Sequence, residues 1–192
     1  TLYNKFKGMC EPQLFKHTDD NFTGVIFRPA TVCGYSERLR LDLSVNILTN
    51  FGFNKKQINV FGGDQLRPNL HILDYCDAVL RLINAPKTKV QNQIFNIGHQ
   101  NMSIMNIAKK IKKILEKKLH QKIKINKSYS NDKRSYHINS SKITRTLKFK
   151  PKRKIENAVN ELIIAFKRNK IKDSFDNNNY YNVRKLKELK IK

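Results

Sequence analysis

The run Val25-Ile26-Phe27-Arg28-Pro29-Ala30-Thr31-Val32, closed by Gly34, constrains the fold of this chain more than any other segment. A short apolar stretch ended by glycine reads as a buried strand of a parallel sheet, covered on both faces. In open α/β sheets the C-terminal ends of such strands are where ligands gather.

The flanking pattern alternates strands with helices. Tyr3 to about Lys16 is helical in pattern, with Pro12 placed to kink or restart it. Arg40 to Phe51 reads as a helix, Gln57 to Phe61 as a strand stopped by Gly62-Gly63, and Leu70-His71-Ile72 as a brief strand. Asp74 can N-cap the next helix, which runs through Leu82 and Ile83, and Gln93 to Ile97 is another short strand. Ser103 caps the clearest helix, in which Ile104, Ile107, Ala108, Ile111, Ile114 and Leu115 share one face while lysines fill the other. That is the pattern of a core-facing amphipathic helix rather than a membrane-surface or calmodulin-target one. Ile123 and Ile125 alternate with lysines as a half-exposed strand, and helices are expected over 140–147 and 155–166. The segment from Lys170 onward, with Asn177-Asn178-Asn179 at its centre, reads as a loosely held basic extension, which divides the chain into a domain at 1–168 and a tail at 169–192.

Composition narrows the function classes. Hydrophobic residues make up 39% of the chain, enough for a core in 192 residues, and no apolar stretch is long enough to span a bilayer. The polar start, TLYNKFKGMC, has neither a signal-peptide pattern nor an initiating Met, which points to a truncated reading frame. Cys10, Cys33 and Cys76 have no CxxC or Cys/His spacing, so free thiols in a reducing cytoplasm are expected, with no disulfide framework and no metal site. The formal charge of +24 is uneven: residues 1–96 hold 12 Lys+Arg against 8 Asp+Glu, and residues 97–192 hold 27 against 7. The excess is mostly lysine among Asn and Ile, without the arginine and aromatic clustering of a nucleic-acid module, so weak, salt-sensitive association with polyanions is expected rather than specific recognition.

Tyr3-Asn4-Lys5-Phe6-Lys7 matches Tyr-x-x-x-Lys, a spacing that puts a phenol and an ammonium on one helix face. A free phenol, with a pKa near ~10, is a poor base at neutral pH, and a neighbouring cation favours the phenolate that proton exchange requires. In a lysine-rich chain the same pentapeptide also describes an ordinary surface helix. His71 suits a packed core position better than general-base catalysis or metal binding, and Asp74 with Asp77 suits helix capping and surface charge better than a metal pair. Arg67 alone is equally a surface ion-pairing residue or a phosphate ligand.

The order of segments favours the functional reading of the pentapeptide and of Arg67. Arg28-Pro29-Ala30-Thr31-Val32-Cys33-Gly34 resembles the RPxxVYG strand of the extended short-chain dehydrogenase/reductases, the NAD-dependent epimerase/dehydratase family. Phe61-Gly62-Gly63-Asp64-Gln65-Leu66-Arg67-Pro68-Asn69-Leu70-His71-Ile72-Leu73-Asp74 is similar to that family's FGxGxQxRxxxHVxD segment. Leu41-Asp42-Leu43-Ser44-Val45-Asn46 lies between those two, and Phe95-Asn96-Ile97-Gly98, Asp132-Lys133-Arg134-Ser135-Tyr136 and Ser141-Lys142 through Leu147 and Phe149 to Pro151 follow in the family's order, so the resemblance covers about residues 1–168.

It implies an α/β fold, the C-terminal part of a Rossmann-like parallel-sheet domain with a smaller α/β substrate lobe. It implies NAD or NADP as cofactor and a nucleotide sugar as substrate, handled by hydride transfer through a 4-keto intermediate, with a homodimer as the family expectation; from composition, no specific nucleic-acid partner and no membrane partner are expected. By position, Tyr3 is the acid/base and Lys7 holds the nicotinamide ribose and supports the phenolate, while Pro29 and Ala30 line the nicotinamide. Thr31 lies beside the sugar, Asn46 meets the diphosphate, Asn59 and Phe61 meet the base, and Arg67 and Arg134 meet the phosphates. Cys33 in place of Tyr and Pro68 in place of an acidic residue are expected to alter substrate fit. The 192 residues contain no Gly-x-x-Gly-x-x-Gly loop after a first strand, so they are expected to be inactive alone. A non-catalytic sugar-nucleotide or partner-binding module, and a basic nucleic-acid-binding protein, are the competing readings.

Overall fold

The computed structural model describes residues 2–131 and 134–190, with the side chain of Tyr3 outside that description. Helix α1 (Leu2–Lys16) runs unbroken through Pro12 and is followed by strands β1 (Val25–Pro29) and β2 (Thr31–Cys33). The expected single strand 25–32 thus divides at Ala30, where the chain changes partners. Pro29 has no N–H to give a ladder, and the last bond on the first side is Ala30 N–H to Ile97 O at 2.7 Å. Next come α2 (Ser44–Lys55), β3 (Gln57–Phe61), β4 (Leu66–His71), α3 (Ile72–Ile83), α4 (Lys87–Val90), β5 (Gln93–Ile97) and β6 (Gln100–Ser103). The chain then forms α5 (Ile104–Leu119), β7 (Lys124–Ser128), α6 (Ser141–Leu147), α7 (Ile155–Lys167), a 3₁₀ turn at Asn178–Tyr180 and α8 (Asn182–Glu188).

Among the described residues these strands form three small sheets. β1 pairs parallel with β5, Val25 opposite Gln93 and Pro29 opposite Ile97. β2 pairs parallel with β4, which pairs antiparallel with β6, and β3 pairs parallel with β7. This is the mixed α/β class with parallel pairing that the sequence implies.

The α5 pattern is realised as expected. Ser103 Oγ accepts from Asn106 N–H at 3.2 Å, and Ile107, Ala108, Ile111 and Leu115 are fully buried against Val45, Ile58, Val60 and Val159. Burial of each of the larger side chains, Ile107, Ile111 and Leu115, stabilises the fold by roughly 1.5–3 kcal/mol. Close approach of α2 to α5 depends on Gly52, where a Cβ would lie 2.4 Å from Leu115 Cδ1. A second cluster, with Ala30, Leu70, Phe95, Ile97 and Ile143, sits under β1 and β5.

Several boundaries differ from expectation. Residues 40–43 precede α2 rather than opening it, and β4 is longer than the three residues first assigned, with Ile72 already helical. The cap of α3 is His71, whose Nδ1 accepts from Leu73 N–H at 3.2 Å. Asp74 is instead buried inside the first turn, where it accepts from the Lys152 and Arg153 backbone N–H groups and from Arg153 Nη1 at 2.7 Å. Asp77 shares the same guanidinium at 3.0 Å, so the two carboxylates are organised around a cation supplied by the chain. The basic tail is not loosely held. Ile171 and Tyr181 are buried with Leu39, Leu41, Leu162 and Phe166, because apolar side chains spaced through a Lys/Asn-rich segment find one shared core.

Candidate functional site

The run through β1 and β2 ends beside a cleft of about 390 Å³. Pro29, Ala30 and Thr31 form one wall, Leu43 and Asn46 form another, and Ser36, Arg38 and Arg40 stand on the irregular segment between Gly34 and α2. Asn46 is buried, and its amide is committed to that segment: Oδ1 accepts from Gly34 N–H at 3.1 Å, and Nδ2 donates to Gly34 O at 3.4 Å and Arg40 O at 2.9 Å. With both N–H bonds so used, Asn46 shapes the cleft by pinning its loop. Arg40 forms a two-pronged pair with Asp42, Nε to Oδ1 at 2.9 Å and Nη2 to Oδ2 at 3.1 Å.

Behind this wall Gly34 has φ +107°, and a Cβ there would lie 3.1 Å from His71 Nε2 and 3.2 Å from Glu161 Oε2. Because His71 Nδ1 accepts the Leu73 N–H, the imidazole proton belongs on Nε2. Glu161 Oε2 lies 3.1 Å from that nitrogen but off the line of a hydrogen bond. His71 is thus packed, as the sequence suggests, and it takes the capping role that the sequence suggests for Asp74. Cys33 is buried in the main core, and Pro68 is buried within β4. Burial pushes the Cys33 thiol up to about 12, with the Glu161 and Asp74 charges acting in the same direction.

A second cleft, about 270 Å³, lies on another side of α2. Its floor is apolar, from Ile47, Leu48, Phe51 and Ile104, and Asn59, Phe61 and Arg67 stand around it. Phe61 is exposed, and Asn59 Oδ1 accepts from Asn126 Nδ2 at 3.0 Å. Gln65 fixes the Gly62-Gly63 turn below, its Oε1 accepting from Gly63 N–H at 2.6 Å and its Nε2 donating to Phe61 O at 2.8 Å. Both glycines have positive φ, which a side chain would strain. Arg67 Nη1 donates to Leu66 O at 2.9 Å and to the Arg134 carbonyl, and the guanidinium lies 5.5 Å from the Tyr136 ring centre. Ser44 Oγ, also on this cleft, is buried and has no hydrogen-bond partner among the described residues.

The structure therefore groups Pro29, Ala30, Thr31 and Asn46 in one cleft and Asn59, Phe61 and Arg67 in the other, with α2 as the common wall. Arg134 reaches the second group through its carbonyl, which accepts from Arg67. Lys7 is on exposed α1 and lines neither cleft, and the side chain of Tyr3 lies outside the described residues. α1 is tied to β1 by Glu11, which accepts from Arg28 Nε at 2.7 Å and from Arg28 Nη2, and this bonding holds the Glu11 carboxyl below its usual range. Sequence reasoning missed Ser36, Arg38, Arg40, Ser44 and Gln65. Gln65, inside the Phe61–Asp74 segment, and Ser44, inside the Leu41–Asn46 segment, lay in stretches that could have identified them, whereas Ser36, Arg38 and Arg40 lie between such stretches.

The NAD dependent epimerase/dehydratase family model matches residues 1–98. Among solved structures, a UDP-glucose 4-epimerase from Thermotoga maritima with UDP-glucose aligns with a TM-score of 0.67 at 20% identity, over 83% of this chain and 51% of that one. A UDP-glucuronic acid 4-epimerase from Bacillus cereus, in complex with UDP-glucuronic acid and NAD, gives 0.65 at 22% identity over 79% and 48%. A dTDP-glucose 4,6-dehydratase from Bacillus anthracis in complex with NAD gives 0.61 at 20% identity over 75% and 44%. This chain spans about half the length of these structures.

Proposed function

Because this chain belongs to the NAD dependent epimerase/dehydratase family of extended short-chain dehydrogenase/reductases, we propose that it is the nucleotide-sugar-binding portion of an enzyme that works through a 4-keto intermediate. The observation that carries this reading is the second cleft. An apolar floor between Asn59 and Phe61 suits a nucleobase, and the Arg67 guanidinium on the same rim suits a diphosphate. Arg134, joined to Arg67, belongs to the phosphate end in this reading. UDP-glucose, UDP-glucuronic acid and dTDP-glucose are the first ligands to try, since the aligned enzymes act on or bind these.

The cofactor fits these residues only in part. Pro29 and Ala30 offer a wall for the nicotinamide at the strand ends, with Thr31 beside the sugar, but no glycine loop is present in the 192 residues to receive the pyrophosphate. Bound NAD(P) supplies the hydride acceptor in this chemistry. Tyr3 then exchanges the proton of the sugar hydroxyl, and the Lys7 ammonium, one turn away on α1, favours the phenolate. The 192 residues alone bind the sugar nucleotide without turning it over. Cytoplasmic location and dimerisation through α1 complete the proposal, the latter supported by the exposed Leu2, Phe6 and Met9.

The test is a pair of variants in a form of the enzyme that carries a glycine loop. Tyr3→Phe should lower turnover roughly 10²-fold or more while leaving sugar-nucleotide binding intact. Arg67→Ala should weaken binding by about 1.5–3 kcal/mol. Near-normal turnover in Tyr3→Phe would place the acid/base elsewhere.

A further inference from the structure

The irregular segment between Gly34 and α2 brings two arginines to the first cleft, yet it has no strand or helix of its own to hold it. Besides Asn46, which bonds Gly34 and Arg40, its partners come from the far end of the chain. Leu41 N–H donates to Tyr180 O at 2.9 Å, Arg38 Nη1 donates to Asn179 O at 2.7 Å, and Arg38 Nη2 donates to Asn182 Oδ1 at 3.2 Å. Asp42, which already grips Arg40 with both oxygens, also accepts the Asn182 backbone N–H on Oδ2 at 3.2 Å. Both cleft arginines are thus oriented by groups that belong to, or bond to, residues 179–182.

The tail that provides these groups is itself anchored. Tyr181 is buried, its hydroxyl donating to Ser174 O at 2.7 Å, and Ser174 Oγ donates to Asn50 Oδ1 of α2 at 2.8 Å. Phe175 packs on Phe51 with ring centres 5.0 Å apart. An exposed, flexible extension would bury none of these groups.

We propose that residues 170–188 form a strap that sets the position of Arg38 and Arg40 at the mouth of the first cleft, with Asp42 as the joint and Asn182 as the tail's positioning residue. The proposal rests on the nucleotide-sugar reading only for the identity of the ligand. Arginines held at fixed directions meet an anionic ligand with less ordering to be done on binding, so detaching the strap should weaken binding before it weakens the fold.

Asn182 permits a selective test because it is the first residue of α8, where proline is tolerated, and Tyr181 before it is already extended at φ −130° and ψ 101°. Asn182→Pro deletes both the N–H to Asp42 and the side-chain acceptor for Arg38. Asn182→Ala deletes only the acceptor, and Asn182→Asp keeps both. The account expects faster amide hydrogen exchange over residues 38–42 in Asn182→Pro, with the thermal midpoint unchanged. UDP-glucose binding should be roughly tenfold weaker in that variant, intermediate in Asn182→Ala and restored in Asn182→Asp. Unchanged exchange over 38–42 in Asn182→Pro would overturn the strap whatever the ligand does, and so would faster exchange with unchanged affinity. If the parent chain binds no UDP-glucose, the functional reading fails, and the strap is then decided by the exchange measurement alone.

Discussion

Replacing Asp74 by Ala should be among the most damaging single changes in this chain, although its sequence position suggests a replaceable cap. The carboxylate is 1% exposed and accepts three hydrogen bonds, from Lys152 N–H at 3.0 Å, Arg153 N–H at 2.8 Å and Arg153 Nη1 at 2.7 Å. Truncation strands two backbone donors, each costing about 1–3 kcal/mol if no partner replaces the carboxylate. Lys152 is exposed and the Arg153 side chain is one-third exposed, so water and Asp77 recover part of this. The expected net loss is about 2–4 kcal/mol, measured as a lower urea midpoint at constant slope. Asp77→Ala removes only a half-exposed partner of the same guanidinium and should cost about 0–1 kcal/mol. If Asp74→Ala cost less than about 1 kcal/mol, or if the two variants were equal, the argument that a buried carboxylate clamps the approach to α7 would be refuted.

Three further outcomes follow from packing and burial. Gly52→Ala improves helix propensity by about 1 kcal/mol but forces a Cβ to 2.4 Å from Leu115, so a net loss of about 1–3 kcal/mol is expected by urea unfolding, and a gain would show that α2 and α5 separate freely. A maleimide at pH 8 should label exposed Cys10 and Cys76 in the native protein and reach Cys33 only after unfolding. Since the folded pKa of Cys33 is raised from 9.0 to about 12, its contribution to stability is complete below pH 9 and declines as pH rises toward 12.

Local chemistry made much of the fold legible in the sequence. Gln57 to Phe61 with its glycine stop, Ser103 with the isoleucines of α5, and the strand at 93–97 each carry their signal within one element, and each is found in the structure. What was not legible depends on contacts distant in sequence. The buried role of Asp74 is set by a partner 79 residues away, and the docking of the tail by partners up to 144 residues away. Hydrophobic periodicity cannot find Ile171 and Tyr181 because they are isolated among Lys and Asn. The site shows the same division. The motif segment and the strand leading into it bring Asn59, Phe61 and Arg67 around one cleft, whereas Arg38 and Arg40 lie between motifs, and Arg38 is held by tail residues distant in sequence.

The central claim is that the second cleft receives the nucleotide end of a sugar nucleotide. Titration of the isotope-labelled 192-residue chain with UDP-glucose, dTDP-glucose and NAD, followed by amide and side-chain NMR shifts, tests it most directly. The account predicts saturable shifts for at least one sugar nucleotide at Asn59, Phe61 and Arg67, with none of comparable affinity for NAD. Shifts confined to the lysine face of α5, or tight NAD binding by these residues alone, would contradict it.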